Sequence, residues 1–124
     1  MNKKDKLLFV YNANSSIFSV ATDYVHKIVS PETYSCNLCK LTYGNLGMKK
    51  EWKDFIVNID VPVSFLHKDE LTKEYPDKNL ISLPVIFVAS EKGLSLLISS
   101  EEINNQNTIS NLISLIKNKM KNTI

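Results

Sequence analysis

Residues 7–11 form an uninterrupted apolar run, Leu-Leu-Phe-Val-Tyr, which limits the fold more than any other part of the sequence. A run of strand-forming residues without polar alternation is typical of a strand covered on both faces, as in parallel α/β sheets. Helix-capping residues follow at 12–16, and apolar residues then recur at helical spacing until Ser30 and Pro31 end the helix. This order of strand, cap cluster and helix predicts the first half of a βαβ unit.

A second strand–helix pair and a β-hairpin follow further along the chain. Residues 63–67 predict a strand and residues 69–75 a short helix. Another apolar strand at 85–89 is joined by a turn at Gly93, a residue suited to positive φ, to an antiparallel return over 94–99. The closing helix has an expected N-cap at Thr108 and an apolar face formed by Ile109, Leu112, Ile113, Ile116 and Met120.

The segment between the two units is much longer than a crossover requires. We interpret residues 31–61 as an insertion within a single domain that spans residues 1–124. The insertion carries both cysteines of the chain and an amphipathic helix that includes Trp52 and Phe55. At helical spacing these two aromatic residues are expected to pack the insertion onto the body of the domain.

The charge and composition of the chain exclude several classes of function. The net charge is only +2, so we expect neither a nucleic acid nor a membrane as partner. The apolar run near the amino terminus is too short for a secretory signal, and we expect a cytoplasmic protein with reduced thiols. The chain has three glycines, none of them in a phosphate-binding loop, and no cofactor is expected.

The order of the predicted elements, with Leu83 and Pro84 directly before the hairpin, resembles that of the thioredoxin-like fold. In that family the proline that opens the hairpin is cis and faces the start of the first helix, so Pro84 is expected to be cis. The resemblance implies an α/β, three-layer, thioredoxin-like domain with a mixed four-stranded sheet. The redox motif of the family lies between the first strand and the first helix, where this chain has no cysteine. The family's active site is therefore not expected at that turn.

The chain also resembles an uncharacterised family of small bacterial proteins. Four strings carry this resemblance: Tyr-Asn-Ala-x-Ser at 11–15, Ser-Pro-x-Thr-Tyr-x-Cys-x-Leu-Cys-x-Leu-Thr-Tyr-Gly at 30–44, Met-Lys-x-x-Trp at 48–52, and Phe-Leu-His-x-Asp-Glu at 65–70. The match assigns no role to any residue.

Cys36 and Cys39 form a Cys-x-x-Cys pair, which admits three interpretations. The first is a redox dithiol, with both cysteines as catalytic residues, and the second is a pair of buried thiols that behave as small apolar residues. The third is a zinc site, which would need His26 and His67 as the remaining ligands. The predicted topology keeps the two histidines apart, so no metal site is expected.

A ligand site is also predicted at the start of the first helix. Asn12, Asn14, Ser15 and Ser16 bring amides, hydroxyls and free backbone N–H groups to the positive end of that helix. His67 and Pro84 are expected at the same place, where open α/β sheets usually bind ligands. Ordinary helix capping is the simpler explanation of the four polar residues.

The leading functional hypothesis is thiol–disulfide redox chemistry or oxidation sensing through Cys36 and Cys39. The alternative is a non-catalytic module that binds a small ligand or a protein and has structural or metal-bound cysteines. The sequence leaves enzymatic activity undecided. The expected partner is a thiol substrate or a small anionic ligand, and a homodimer remains open.

Overall fold

The computed structural model describes residues 5–12, 37–44, 47–78 and 81–123. The first predicted helix, over residues 17–28, lies outside these ranges. The strands are β1 (Lys6–Val10), β2 (Tyr43–Gly44), β3 (Gly47–Met48), β4 (Val63–Leu66), β5 (Val85–Ser90) and β6 (Gly93–Ile98). The α-helices are α1 (Asn37–Thr42), α2 (Lys50–Asn58), α3 (Lys68–Glu74), α4 (Ser100–Asn104) and α5 (Ile109–Thr123), with a 3₁₀ turn at Pro76–Lys78.

The main sheet has four strands in the order β4-β1-β5-β6. Strand β1 is parallel to β4, with Val10 opposite Leu66, and antiparallel to β5, with Val10 also opposite Val85. Strand β6 is antiparallel to β5. The α/β class and the mixed four-stranded sheet predicted from the sequence are therefore confirmed.

Alternate residues of β1 face two separate apolar cores, one on each face of the sheet. The larger core, cluster 1, includes residues of α1, α2, α4 and α5, whereas the smaller one, cluster 2, includes Leu71 of α3. Burial on both faces explains why residues 7–11 show no polar alternation. The buried members of cluster 1 are Leu7, Phe9, Tyr11, Leu38, Trp52, Ile86, Val88, Leu97, Ile98, Ile103, Leu112 and Ile116. The buried members of cluster 2 are Leu8, Val10, Leu66, Leu71, Val85 and Phe87.

Trp52 attaches α2 to the sheet, as its helical spacing predicts. Its side chain is fully buried, and its ring meets the ring of Phe9 edge-on, with 5.4 Å between centroids and an angle of 75°. The centroid of the Phe55 ring lies 5.5 Å from that of Trp52, and Phe55 also packs against cluster 1. The expectation that these aromatic residues pack the insertion onto the body is confirmed.

Three local predictions for the second half of the chain are also confirmed. Gly93 has φ = 112° at the start of β6, a backbone conformation that side-chain-bearing residues rarely adopt. The Thr108 hydroxyl accepts a hydrogen bond from the backbone N–H of Asn111 at 3.1 Å, so Thr108 caps α5. The peptide bond between Leu83 and Pro84 is cis, the expected isomer.

None of the helices within the described residues is long and apolar enough to cross a lipid bilayer.

Candidate functional site

Three of the predicted ligand-site residues lie next to one end of the main sheet. Strands β1 and β4 both run toward this end, and β5 starts from it, because Val10 lies opposite both Leu66 and Val85. Asn12, His67 and Pro84 each lie within two residues of these strand ends. We call this place the sheet end. Asn14, Ser15 and Ser16 lie outside the described residues.

The ring of His67 is held at the sheet end by its neighbours. The backbone N–H of Tyr11 donates to the carbonyl of Leu66 at 2.9 Å, so the parallel pairing continues one residue beyond β1. This pairing brings the Tyr11 and His67 rings together, with 5.7 Å between centroids and an angle of 31°. The Tyr11 ring also stacks on the ring of Phe65, with 6.0 Å between centroids and an angle of 9° between the ring planes.

Glu70 fixes His67 from the first turn of α3. Its Oε1 atom accepts a hydrogen bond from the backbone N–H of His67 at 2.8 Å and lies 2.5 Å from Nδ1 of the same residue. A carboxylate on Nδ1 fixes the orientation of the imidazole ring. About a fifth of the His67 side chain is exposed, 19%. The histidine is therefore oriented and accessible at once.

The sequence interpretation missed Tyr11 and Glu70 as parts of this arrangement. The sequence analysis places Tyr11 at the end of a buried strand and Glu70 within a short helix, and gives neither residue a part in the ligand site. The string Phe-Leu-His-x-Asp-Glu contains the signal, because an acid three residues after a helix cap can reach back to it.

The Cys-x-x-Cys pair is only partly described by the structure. Cys36 lies outside the described residues, and the backbone of Cys39 lies in α1, a helix that the sequence did not indicate. Leu38 of α1 is fully buried in cluster 1, and Thr42 of the same helix is also fully buried. The Asn37 side chain donates through Nδ2 to the carbonyls of Ile103 at 2.8 Å and of Gln106 at 2.9 Å. The helix that contains Cys39 is thus joined to the end of α4.

A groove with a volume of about 580 Å³ runs between α2 and α5. Four half-buried apolar residues and three exposed carboxylates line it, and the ammonium of Lys117 lies 5.9 Å from the centroid of the Phe55 ring. The sequence does not indicate this groove because its two walls come from distant parts of the chain. The lining residues are Glu51, Asp54, Phe55, Asn58, Ile59, Asp60, Ile113, Lys117 and Met120.

Within the part of the chain that the structure describes, no group of three or more His, Cys, Asp or Glu side chains could hold a metal ion. Two of the four residues of the zinc interpretation, His26 and Cys36, lie outside that part. Comparison with family models, curated proteins and solved structures finds no match to this chain. The resemblances seen in the sequence therefore stay hypotheses.

Proposed function

We propose that this chain is a cytoplasmic protein of thioredoxin-like fold that exchanges thiols and disulfides, or senses oxidation, through Cys36 and Cys39. In the exchange, the two thiols give up two electrons and two protons and form one S–S bond. A disulfide of the partner, in a protein or a small thiol compound, accepts them and becomes two thiols. No metal or other cofactor takes part in this step.

The observation that carries the proposal is the starting point of α1. The helix begins at Asn37, so Cys36 directly precedes it in the sequence and Cys39 is its third residue. A cysteine next to the first turn of a helix is favoured as a thiolate, because unpaired backbone N–H groups there carry partial positive charge. Lys40, an exposed residue in the last turn of α1, adds a cation next to Cys39 in the sequence.

The order of the elements supports the fold part of the proposal. The sheet order β4-β1-β5-β6, with one parallel and two antiparallel pairs, has the arrangement expected for a β-α-β-α-β-β-α chain of this class. Helix α3 faces cluster 2, and α5 faces cluster 1 on the opposite side of the sheet. Pro84 precedes β5, the first strand of the hairpin, as in the resemblance.

Mass spectrometry of the intact protein before and after a mild disulfide oxidant tests the proposal. We expect a reversible loss of mass equal to two hydrogen atoms, and no loss in Cys36→Ser or Cys39→Ser. The pH dependence of alkylation is expected to show one thiol that reacts at neutral pH. Zinc is assayed in the same sample. Stoichiometric zinc, or thiols that react only after unfolding, would contradict the redox proposal.

A fold control separates chemistry from packing. Both serine variants are expected to unfold within a few degrees of the wild type, because serine and cysteine have similar volume. A thermal unfolding midpoint far below that of the wild type would show that the lost thiol was part of the core, and would favour the interpretation as buried thiols.

The sheet end supports a second candidate function, a non-catalytic module for a small anion. The supporting observation is the fixed His67 ring, which is oriented by Glu70 and partly exposed. Titration with inorganic phosphate and with acetate, followed by NMR, is expected to shift His67 and Asn12 signals in a variant that lacks both cysteines. His67→Ala should abolish the shifts, and Lys73→Ala, an exposed position of α3, serves as the matched control. Unchanged spectra with both anions would exclude this function.

A further inference from the structure

Strand β6 forms an outer edge of the main sheet. Within the described residues it pairs only with β5, so its other side presents unpaired backbone N–H and C=O groups. Its six residues, Gly-Leu-Ser-Leu-Leu-Ile, include no charged side chain and no proline. Natural edge strands usually carry such residues to prevent pairing with another chain. The opposite edge, β4, has only four residues and directly follows Pro62.

The side chains of β6 leave an apolar surface beside this open edge. Leu96 is 55% exposed, an unusual value for a leucine in a strand of the main sheet. Leu96 lies opposite Phe87, and Leu94 lies opposite Ala89 two residues away, so the two leucines share the face of the sheet that bears cluster 2. Ser95 points to the other face and is exposed. Leu94 is half-buried, so part of this surface is already covered.

We propose that β6 is a homodimer interface, in which β6 strands of two copies pair antiparallel about a two-fold axis at Ser95. This register places Leu94 opposite Leu96 of the partner subunit, and Leu96 opposite Leu94 of the partner subunit. Paired residues of an antiparallel ladder point to the same face. The four leucines therefore form one continuous apolar strip across the axis.

A second copy is the occupant that this edge fits best. A two-fold axis places the two copies of any residue near the axis close together, so a charged residue there would lie near its own charge, and β6 has no charged residue. The serines that meet on the axis are small enough to face each other. A foreign peptide would need its own exposed leucines in the same spacing, whereas a second copy supplies them.

The length of β6 limits the strength of the dimer. A register shift between Ile86 and Phe87 of β5 interrupts the ladder near Leu97, and such bulges hinder further pairing. The shared ladder therefore extends over Gly93 to Leu97. An interface of one short strand pair and four leucines falls at the small end of specific interfaces, so we expect micromolar dissociation constants.

Sedimentation velocity with a reductant present, which excludes intermolecular disulfides, tests the dimer. The wild type is expected to shift from monomer to dimer between low-micromolar and millimolar concentration. Leu96→Lys should stay monomeric, because two lysines would meet the apolar strip and the edge would carry charge. Val57→Lys, on α2, is the matched control, because Val57 is 72% exposed and gains the same charge. It should dimerise like the wild type.

A second measurement decides the question even if Leu96→Lys does not fold. Amide hydrogen exchange of the wild type should slow at Leu94 and Leu96 as concentration rises, while amides of α2 keep their rates. A wild type that stays monomeric at every concentration overturns the proposal. So does equal dimerisation of the folded Leu96→Lys variant, or a dimer whose β6 amides exchange at the monomer rate.

Discussion

Glu102 connects α4, α5 and the end of β6 through a single carboxylate. Its Oε1 atom accepts hydrogen bonds from the backbone N–H of Ser99 at 3.1 Å and from the Ser99 hydroxyl at 3.2 Å, while Oε2 lies 2.7 Å from Nζ of Lys119. Ser99 in turn accepts from the Glu102 backbone N–H, which completes a capping box. The Lys119 contact, followed by the Ser99 backbone bond, holds the pKa of Glu102 below its ordinary value of 4.5.

This lowered pKa predicts a pH dependence of stability. The folded state binds the proton of Glu102 less tightly than the unfolded state, so the carboxylate stabilises the fold above the unfolded pKa. That contribution is lost as pH falls through the lower, folded-state pKa. We expect Glu102→Gln to lower the free energy of unfolding by about 1 kcal/mol at neutral pH, since the site is partly exposed and screened. Urea unfolding from pH 7 down to pH 3 measures the effect.

Glu101→Gln is the matched control for this prediction. Glu101 lies beside Glu102 in the first turn of α4 and is exposed. The difference in free energy of unfolding between Glu102→Gln and the wild type should shrink toward acidic pH. The free energy of unfolding of Glu101→Gln should stay closer to that of the wild type at every pH. If the free-energy difference between Glu102→Gln and the wild type does not change with pH, the variant has lost packing and not a charge interaction.

At the scale of elements, Asn37 decides where α1 lies. The helix has only six residues, too few to be stable alone, so its position depends on tertiary contacts. The two hydrogen bonds from Asn37 Nδ2 reach carbonyls at and beyond the end of α4, and the Ile103 carbonyl also accepts from the backbone N–H of Gln106. Cys36 and Cys39 flank Asn37 in the sequence, and the helix that contains Cys39 is held to the end of α4.

We expect Asn37→Ala to lower the free energy of unfolding by about 1–2 kcal/mol, because it leaves two partly buried carbonyls without this donor. Asn37→Asp should lower the free energy of unfolding further, because its carboxylate would face two carbonyl oxygens. Asn104→Ala, at an exposed position of α4, is the control and should cost clearly less. Denaturant unfolding gives the stabilities, and the alkylation rate of the thiols reports whether α1 has moved. Equal stability of the Asn37 and Asn104 variants would exclude the attachment.

The elements that the sequence predicted are those with strong local signals. Strands β1 and β5 are continuous apolar runs, helices α2 and α5 have apolar residues at helical spacing, and Gly93 has the turn signal that its φ requires. Helix α1 was missed because six residues hold less than two turns of periodicity. Helix α4 was missed although Ser99 and Glu102 have the spacing of a capping box, because the apolar strand before it masked its start.

The sheet end was predicted in part for a related reason. His67 and Pro84 were placed together by topology, which follows from the order of strands and the rule that parallel strands share a carboxyl end. The Tyr11 and His67 ring contact depends on the register of β1 against β4, and a shift of one residue would have removed it. The groove between α2 and α5 depends on how two helices pack, which neither helix specifies alone.

At the scale of the molecule, the sheet separates two cores that share its strands. Leu71 of α3 belongs to cluster 2 on one face of the sheet, and Ile116 of α5 belongs to cluster 1 on the opposite face. The strands between them keep the two side chains from sharing contacts. Substitutions in different clusters should therefore act independently, while substitutions in the same cluster should not.

We predict that the cost of Leu71→Ala, about 2–4 kcal/mol, adds to the cost of Ile116→Val, about 1 kcal/mol, with a coupling below about 0.5 kcal/mol. Leu112→Ala with Ile116→Val is the matched pair within cluster 1. Leu112 and Ile116 lie four residues apart on α5, so their side chains are neighbours and the relaxation around one cavity changes the cost of the other. Their coupling should exceed about 0.5 kcal/mol. Urea unfolding of the single and double variants measures both cycles. A coupling across the sheet as large as that within cluster 1 would mean that the strands transmit strain between the cores, and that the two faces behave as one packing unit.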